Sequence, residues 1–179
     1  FVNKKINVVL SGGIVFFVLF VIFVDFNLYL KLFIFLIFLI GIFSDLKILN
    51  SPSPRFILQF FVVGIFVVLL EIGISFTDLY YLDLVLKYKL VSIIFSTLCL
   101  LVLINGSNFL DGLNTLVIGY YILVLSILNF LVGTNNIDYN LTLINTTILI
   151  LSILLIFNIL NKSFIGDSGA YTISCVVGF

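Results

Sequence analysis

Seven apolar stretches separated by short polar breaks run the length of the chain. Leu-, Ile-, Phe- and Val-rich runs occupy about 8–24, 28–43, 55–72, 90–104, 113–132, 141–160 and 170 to the end. A transmembrane helix needs about 20 mostly apolar residues, and each run reaches or approaches that length. Inside a bilayer the backbone must satisfy its own hydrogen bonds, and these runs are too long for barrel strands, so they are helices. The pattern predicts an all-α, polytopic transmembrane helix bundle with six full spans and part of a seventh. No repeat of about 20–50 residues and no separate low-complexity segment interrupts it, so 1–179 reads as a single membrane domain.

Composition sharpens this picture. Of the 179 residues 63% are hydrophobic and 9% charged, against about 45–50% and 25% in soluble domains. That balance excludes a water-soluble fold. The formal net charge of zero gives no footing for nucleic-acid binding. The chain starts at Phe1 and ends at Phe179 inside an apolar run, which reads as a fragment of a larger protein. A signal peptide does not account for the start, because the run after Lys4 and Lys5 leads into another span. Cys99 and Cys175 lie in apolar runs and read as small buried hydrophobes. Histidine is absent, so any acid–base or metal chemistry within this stretch falls to carboxylates.

The polar breaks differ in character. The breaks near 25–27 and 133–140 are short and carry no dense motif, and the one near 73–89 is longer, with Tyr80 and Tyr81 suited to the headgroup level. Three others are dense in Asp, Asn, Gly, Ser and Pro: Ser44-Asp45-Leu46-Lys47 leading to Pro52-Ser53-Pro54-Arg55, then Asn105 to Asn114, then Asn161 to Ala170. If the chain crosses at every run, these three loops and the Lys4/Lys5 segment emerge on one face. That face carries Lys4, Lys5, Lys47, Arg55 and Lys162 against Asp45, Asp111 and Asp167. The other carries Lys31, Lys87 and Lys89 against Asp25, Glu71, Asp78, Asp83 and Asp138. The excess of basic residues makes the motif face cytoplasmic.

Each loop has an ordinary reading beside a chemical one. Asp45 sits at the end of an apolar helix, where an acid lies at the interface because the bilayer core would cost it about 2.5–3.5 kcal/mol; it also reads as a solvated loop charge. If the fourth helix continues through its loop, Asn105, Asn108 and Asp111 fall near one stripe at three-residue spacing. They would then offer two amides and a carboxylate to one ligand, or equally cap the next helix. In Gly166-Asp167-Ser168-Gly169 the glycines let backbone approach a ligand, and free amides at the start of the following helix would favour phosphate; Asp167 or Ser168 could instead be a cap. Three carboxylates on one face beside basic residues point to a shared site. Such a cluster can hold Mg²⁺ with one or two carboxylates plus substrate phosphates.

These motifs, in this order and on this face, resemble the polyprenyl-phosphate N-acetylhexosamine-1-phosphate transferase family. The resemblance runs from Ser11-Gly12-Gly13 to Gly166-Asp167-Ser168-Gly169, and Asn105-x-x-Asn108-x-x-Asp111-Gly112 is its most specific element with Gly166-Asp167-x-Gly169. It implies a protein of ten or eleven helices in the bacterial inner membrane, and allows a homodimer. The implied reaction transfers N-acetylhexosamine-1-phosphate from a UDP-sugar such as UDP-N-acetylglucosamine to undecaprenyl or another polyprenyl phosphate. UMP is released, at the first step of cell-wall or lipopolysaccharide glycan assembly. The cofactor implied is Mg²⁺, with Mn²⁺ as a substitute. By the same resemblance Asp167 and Asp111 would be metal ligands, Asp45 and Asp111 catalytic, and Asn105, Asn108, Lys4 and Lys5 substrate-binding.

The chain departs from the family in places. Ser44-Asp45 stands where an Asp-Asp pair is usual, Asn114-Thr115 replaces an Asp-Gly, and Val9 lies where a proline is usual before the double glycine. The second departure leans toward cell-surface glycan initiation rather than the peptidoglycan branch. The rival reading is a transporter or channel using Asp45, Asp111 and Asp167 for cations. Such proteins place ionisable groups near the midplane, often in broken helices, whereas these three lie at helix ends.

Overall fold

The computed structural model describes residues 11–24, 27–110, 115–135 and 141–178. Their regular elements are all helical: α1 (Gly12–Phe23), α2 (Leu28–Asp45), α3 (Pro52–Leu69), α4 (Tyr80–Leu86), α5 (Lys89–Leu110), α6 (Leu116–Asn135), α7 (Leu141–Ile159) and α8 (Gly166–Val177). The all-α expectation holds, and seven of the eight helices coincide with the apolar runs. α4 is the addition. Its seven residues form too short a segment for hydropathy to register, and its start is organised by Asp83, which accepts from both the N–H and the hydroxyl of Thr77 at 2.7 Å.

The span count needs correction. Five helices among the described residues, α2, α3, α5, α6 and α7, are long and apolar enough to cross a membrane, where six full spans were expected. α1 has 12 residues, about 18 Å at 1.5 Å per residue, short of the roughly 30 Å hydrocarbon core. α8, also of 12 residues, corresponds to the partial seventh.

Local sequence explains where the helices start and stop. Pro52 occupies the first turn of α3, where its missing N–H costs nothing. α2, α3 and α7 end alike, with Lys47, Glu71 and Asn161 in the left-handed region (φ 59, 54 and 54°). In each, the next residue donates back to the helix: Ile48 to Phe43 O at 2.9 Å, Ile72 to Val67 O at 3.1 Å, Lys162 to Phe157 O at 3.0 Å. These are Schellman closures made without glycine. Within the helices, serines and threonines such as Thr97, Ser107, Thr147 and Thr172 donate to the carbonyl four residues back, so their hydroxyls are satisfied without water.

α8 is the centre of the bundle. It packs against α1, α2, α5 and α6, and every residue from Ser168 to Val176 is buried. α3 is the opposite case: Phe56, Ile57, Phe60, Phe61, Ile65 and Leu69 are exposed. That face would aggregate a soluble protein, and a lipid environment accommodates it. Cys175 is buried as expected, but Cys99 is exposed on α5, and neither forms a disulfide.

α8 comes this close to α1 and α2 because small residues line the contact. A Cβ on Gly41 would lie 2.3 Å from Ser168 Cα, and one on Gly13 would lie 2.4 Å from the Gly169 nitrogen. Without a hydrophobic drive between helices in lipid, such backbone approach is a main source of packing energy.

Candidate functional site

One end of the bundle gathers the polar residues. The start of α1 is tied to the segment before α8: Gly12 N–H donates to Phe164 O at 2.9 Å, Gly13 N–H to Ile165 O at 3.2 Å, and the Ser11 and Ser163 hydroxyls meet at 3.0 Å. The end of α2 and the start of α3 come to the same place, and so does the end of α5.

The start of α8 is the focus. The Asp45 carboxylate, at the last turn of α2, accepts from the N–H of Asp167 at 2.8 Å and of Ser168 at 3.0 Å, one on each oxygen. A carboxylate at the C-terminus of its own helix is disfavoured by about 0.3–1 kcal/mol. Two hydrogen bonds to a charged acceptor, about 1.5–3 kcal/mol each, outweigh that. Asp45 therefore acts as the N-terminal cap of a helix 122 positions away. Gly166 makes room: its φ is +67°, and a Cβ there would lie 2.9 Å from both Asp45 carboxylate oxygens.

This arrangement changes two expectations. Neither Asp167 nor Ser168 is the cap of α8, since that position is Ile165 with no side-chain bond. The amides expected to be free for phosphate are partly committed, those of Asp167 and Ser168 to Asp45.

With its amide held, Asp167 turns its carboxylate to α2 and α3. Oδ2 accepts from Arg55 Nη1 at 2.8 Å, as an ion pair, and from the Ser44 hydroxyl; Arg55 also donates to Ser44. The Arg55 and Asp167 side chains are 18% and 25% exposed, so the pair is partly desolvated. Ser44, standing where the related motif has an acid, joins the two as a neutral link.

A second group lies beside the first. Asn105, on α5, donates through Nδ2 to Gln59 Oε1 on α3 and to Leu101 O, both at 2.9 Å. Asn108 Nδ2 donates to the Tyr171 hydroxyl at 3.4 Å, one helical turn past Asp167. α5 runs unbroken through Asn105 and Asn108 to Leu110, so the two amides share a face as the spacing required.

Of the residues proposed from sequence, the structure brings Asp45 and Asp167 into direct contact and places Asn105 and Asn108 in the adjoining network. Asp111, Lys4 and Lys5 lie outside the described residues. Sequence reasoning left Arg55, Gln59 and Tyr171 without a role. Faint signals existed: a lone glutamine in an apolar helix, four residues after an arginine, and a tyrosine four residues after Asp167.

No group of three or more His, Cys, Asp or Glu side chains converges among the described residues. A divalent cation held by Asp167 would draw its remaining ligands from substrate oxygens or from carboxylates outside the described residues, such as Asp111. That donor set fits Mg²⁺, which commonly takes one or two protein carboxylates plus phosphates. Asp45 is less suited, because both its oxygens are engaged by backbone amides.

No curated protein and no solved structure matches the chain. The family described as Glycosyl transferase family 4 matches residues 27–179, a stretch that includes α2 to α8 and thus Asp45, Arg55, Asn105, Asn108 and Asp167. The chain is an integral membrane protein belonging to glycosyl transferase family 4, a family of transferases.

Proposed function

We propose that the protein of which this chain is part transfers a sugar-1-phosphate, of the N-acetylhexosamine class, from a UDP-sugar to a polyprenyl phosphate. A phosphate oxygen of the lipid attacks the β-phosphorus of the UDP-sugar, the bond from that phosphorus to the bridging oxygen breaks, and UMP leaves. The product is a polyprenyl-diphosphate sugar, and the step opens a cell-surface glycan pathway. The motif end of the bundle faces the cytoplasm of a bacterial inner membrane, where the nucleotide sugar is found.

The observation that carries this reading is the junction of Asp167 with Arg55, Ser44 and Asp45 at one end of an apolar bundle. A carboxylate and a guanidinium at the end of an apolar bundle suit the meeting of a lipid-anchored phosphate with a soluble nucleotide, which supports the reading. Transfer of this kind asks the protein mainly for positioning and charge stabilisation. Asp167, with Asp111, would hold Mg²⁺, whose chemistry is to neutralise the pyrophosphate. Asn105 and Asn108 hold the nucleotide sugar, and Lys4 and Lys5 meet phosphate. Asp45 fixes the head of α8, and so the place of Asp167.

The test uses the full-length protein in detergent with polyprenyl phosphate and Mg²⁺, and follows UMP release from UDP-N-acetylhexosamines. Release that requires both lipid and metal and collapses in Asp167→Asn supports the reading. Absence of release from folded protein with any UDP-sugar overturns it.

A further inference from the structure

Gln59 is completely buried, at 0% exposure, on the face of α3 that also buries Val63, Phe66 and Val67. Its Oε1 accepts from Asn105 Nδ2. Its Nε2 has no hydrogen-bond partner among the described residues, although the Tyr171 hydroxyl lies alongside. A buried donor is normally paired, and the Tyr171 hydroxyl is the group available to this one; the orientation of the Gln59 amide has its own cause.

Leu101 supplies the reason. Its carbonyl oxygen can only accept, so the Asn105 group facing it at 2.9 Å must be the NH₂. Rotating the Asn105 amide would set oxygen against oxygen. The second N–H of that NH₂ then points at Gln59, which has to answer with its oxygen. Polarity thus passes from a backbone carbonyl through Asn105 to Gln59. Both donors of the Asn105 amide are spent inside the protein, which leaves Oδ1, an acceptor, as the amide atom not used in these two bonds.

We propose that Gln59 is a positioning residue that, together with the Leu101 carbonyl, locks Asn105 as a hydrogen-bond acceptor, so that the ligand group met by Asn105 is a donor, an N–H or a hydroxyl of the nucleotide sugar. The ligand half of this statement rests on the transferase reading above; the lock itself does not. The arrangement selects against groups that can only accept, such as a phosphate oxygen, at this position. It also separates two successive turns of α3: Arg55 faces the anionic part of the site through Asp167, and Gln59, one turn further in, governs the neutral part.

Two readouts test it on the full-length protein in nanodiscs. The first is hydrogen exchange of side-chain amides in protein labelled with ¹⁵N-asparagine. The Asn105 NH₂ is expected to be protected in the wild type, at least tenfold less so in Gln59→Leu, and protected again in Gln59→Glu, whose carboxyl oxygen still accepts. Equal exchange in the wild type and Gln59→Leu overturns the lock, whether or not the protein turns over. The second is kinetics with the UDP-sugar. Gln59→Leu is expected to raise KM about 3- to 10-fold, the worth of one neutral hydrogen bond, with little change in kcat, and Gln59→Glu to restore it. Unchanged KM in a variant whose Asn105 protection is lost overturns the ligand assignment while leaving the lock in place. Loss confined to kcat does the same.

Discussion

Asp45 and Asp167, 122 positions apart, meet through the backbone of one and the side chain of the other: the Asp45 carboxylate holds the Asp167 N–H at 2.8 Å, leaving the Asp167 carboxylate to Arg55 and Ser44. Two acids that would repel as a bare pair are thereby given different partners. Each charge in the junction is answered by a named group, and the head of α8 is fixed by an acid belonging to α2.

Asp45→Ala leaves the N–H groups of Asp167 and Ser168 without their acceptor. A loss of about 2–5 kcal/mol in stability is expected, two charge-assisted hydrogen bonds less the relief at the end of α2, with Asp45→Asn losing about half as much because one carbonyl oxygen can still accept. Reversible unfolding in mixed detergent micelles measures both. Wild-type stability in Asp45→Ala would assign the carboxylate to chemistry alone.

Gly166→Ala attacks the same contact from the other side. The left-handed conformation at φ +67° costs a residue with a side chain about 1–2 kcal/mol, and the new methyl would sit 2.9 Å from both Asp45 oxygens. Loss of activity should accompany the loss of stability, since Asp167 is the next residue. Full UMP release by a folded Gly166→Ala protein would count against a rigid head of α8.

Glycine positions in the helices should divide sharply. Gly41→Ala would force α2 away from α8, because its Cβ falls 2.3 Å from Ser168 Cα, whereas Gly119→Ala on α6 meets nothing within 4 Å. The first is expected to lower the melting temperature in detergent. The second should leave it unchanged or raise it, by up to about 1 kcal/mol of helix propensity.

Arg55→Ala strands the Asp167 carboxylate. The pair is neither exposed, where it would contribute about 0–1 kcal/mol, nor fully enclosed, where breaking it would cost about 3–5 kcal/mol. About 1–2 kcal/mol is expected from unfolding measurements. Arg55→Lys should fall between, keeping the charge but losing the planar fork that reaches Ser44 and Asp167 together.

Much of the architecture was legible in the sequence. The five long helices lie within a few residues of their apolar runs, because in lipid a backbone must bond within its own segment and hydropathy alone marks that segment. The stripe of Asn105 and Asn108 followed from helical spacing, and the gathering of the ends of α2 and α5 with the start of α8 from counting crossings. α4 escaped because seven residues carry no hydropathy signal, and α1 proved shorter than its run implied.

What tertiary structure alone decided is who meets whom. Nothing near Asp45 in the chain announces that it caps α8, nothing near Gln59 that it faces Asn105, and nothing near Gly41 that it touches Ser168. Helix formation is a local property of this sequence, set by backbone hydrogen bonds that close within four residues. The pairing of helices depends on small residues and polar groups scattered over more than a hundred positions, whose complementarity exists only once the helices are packed.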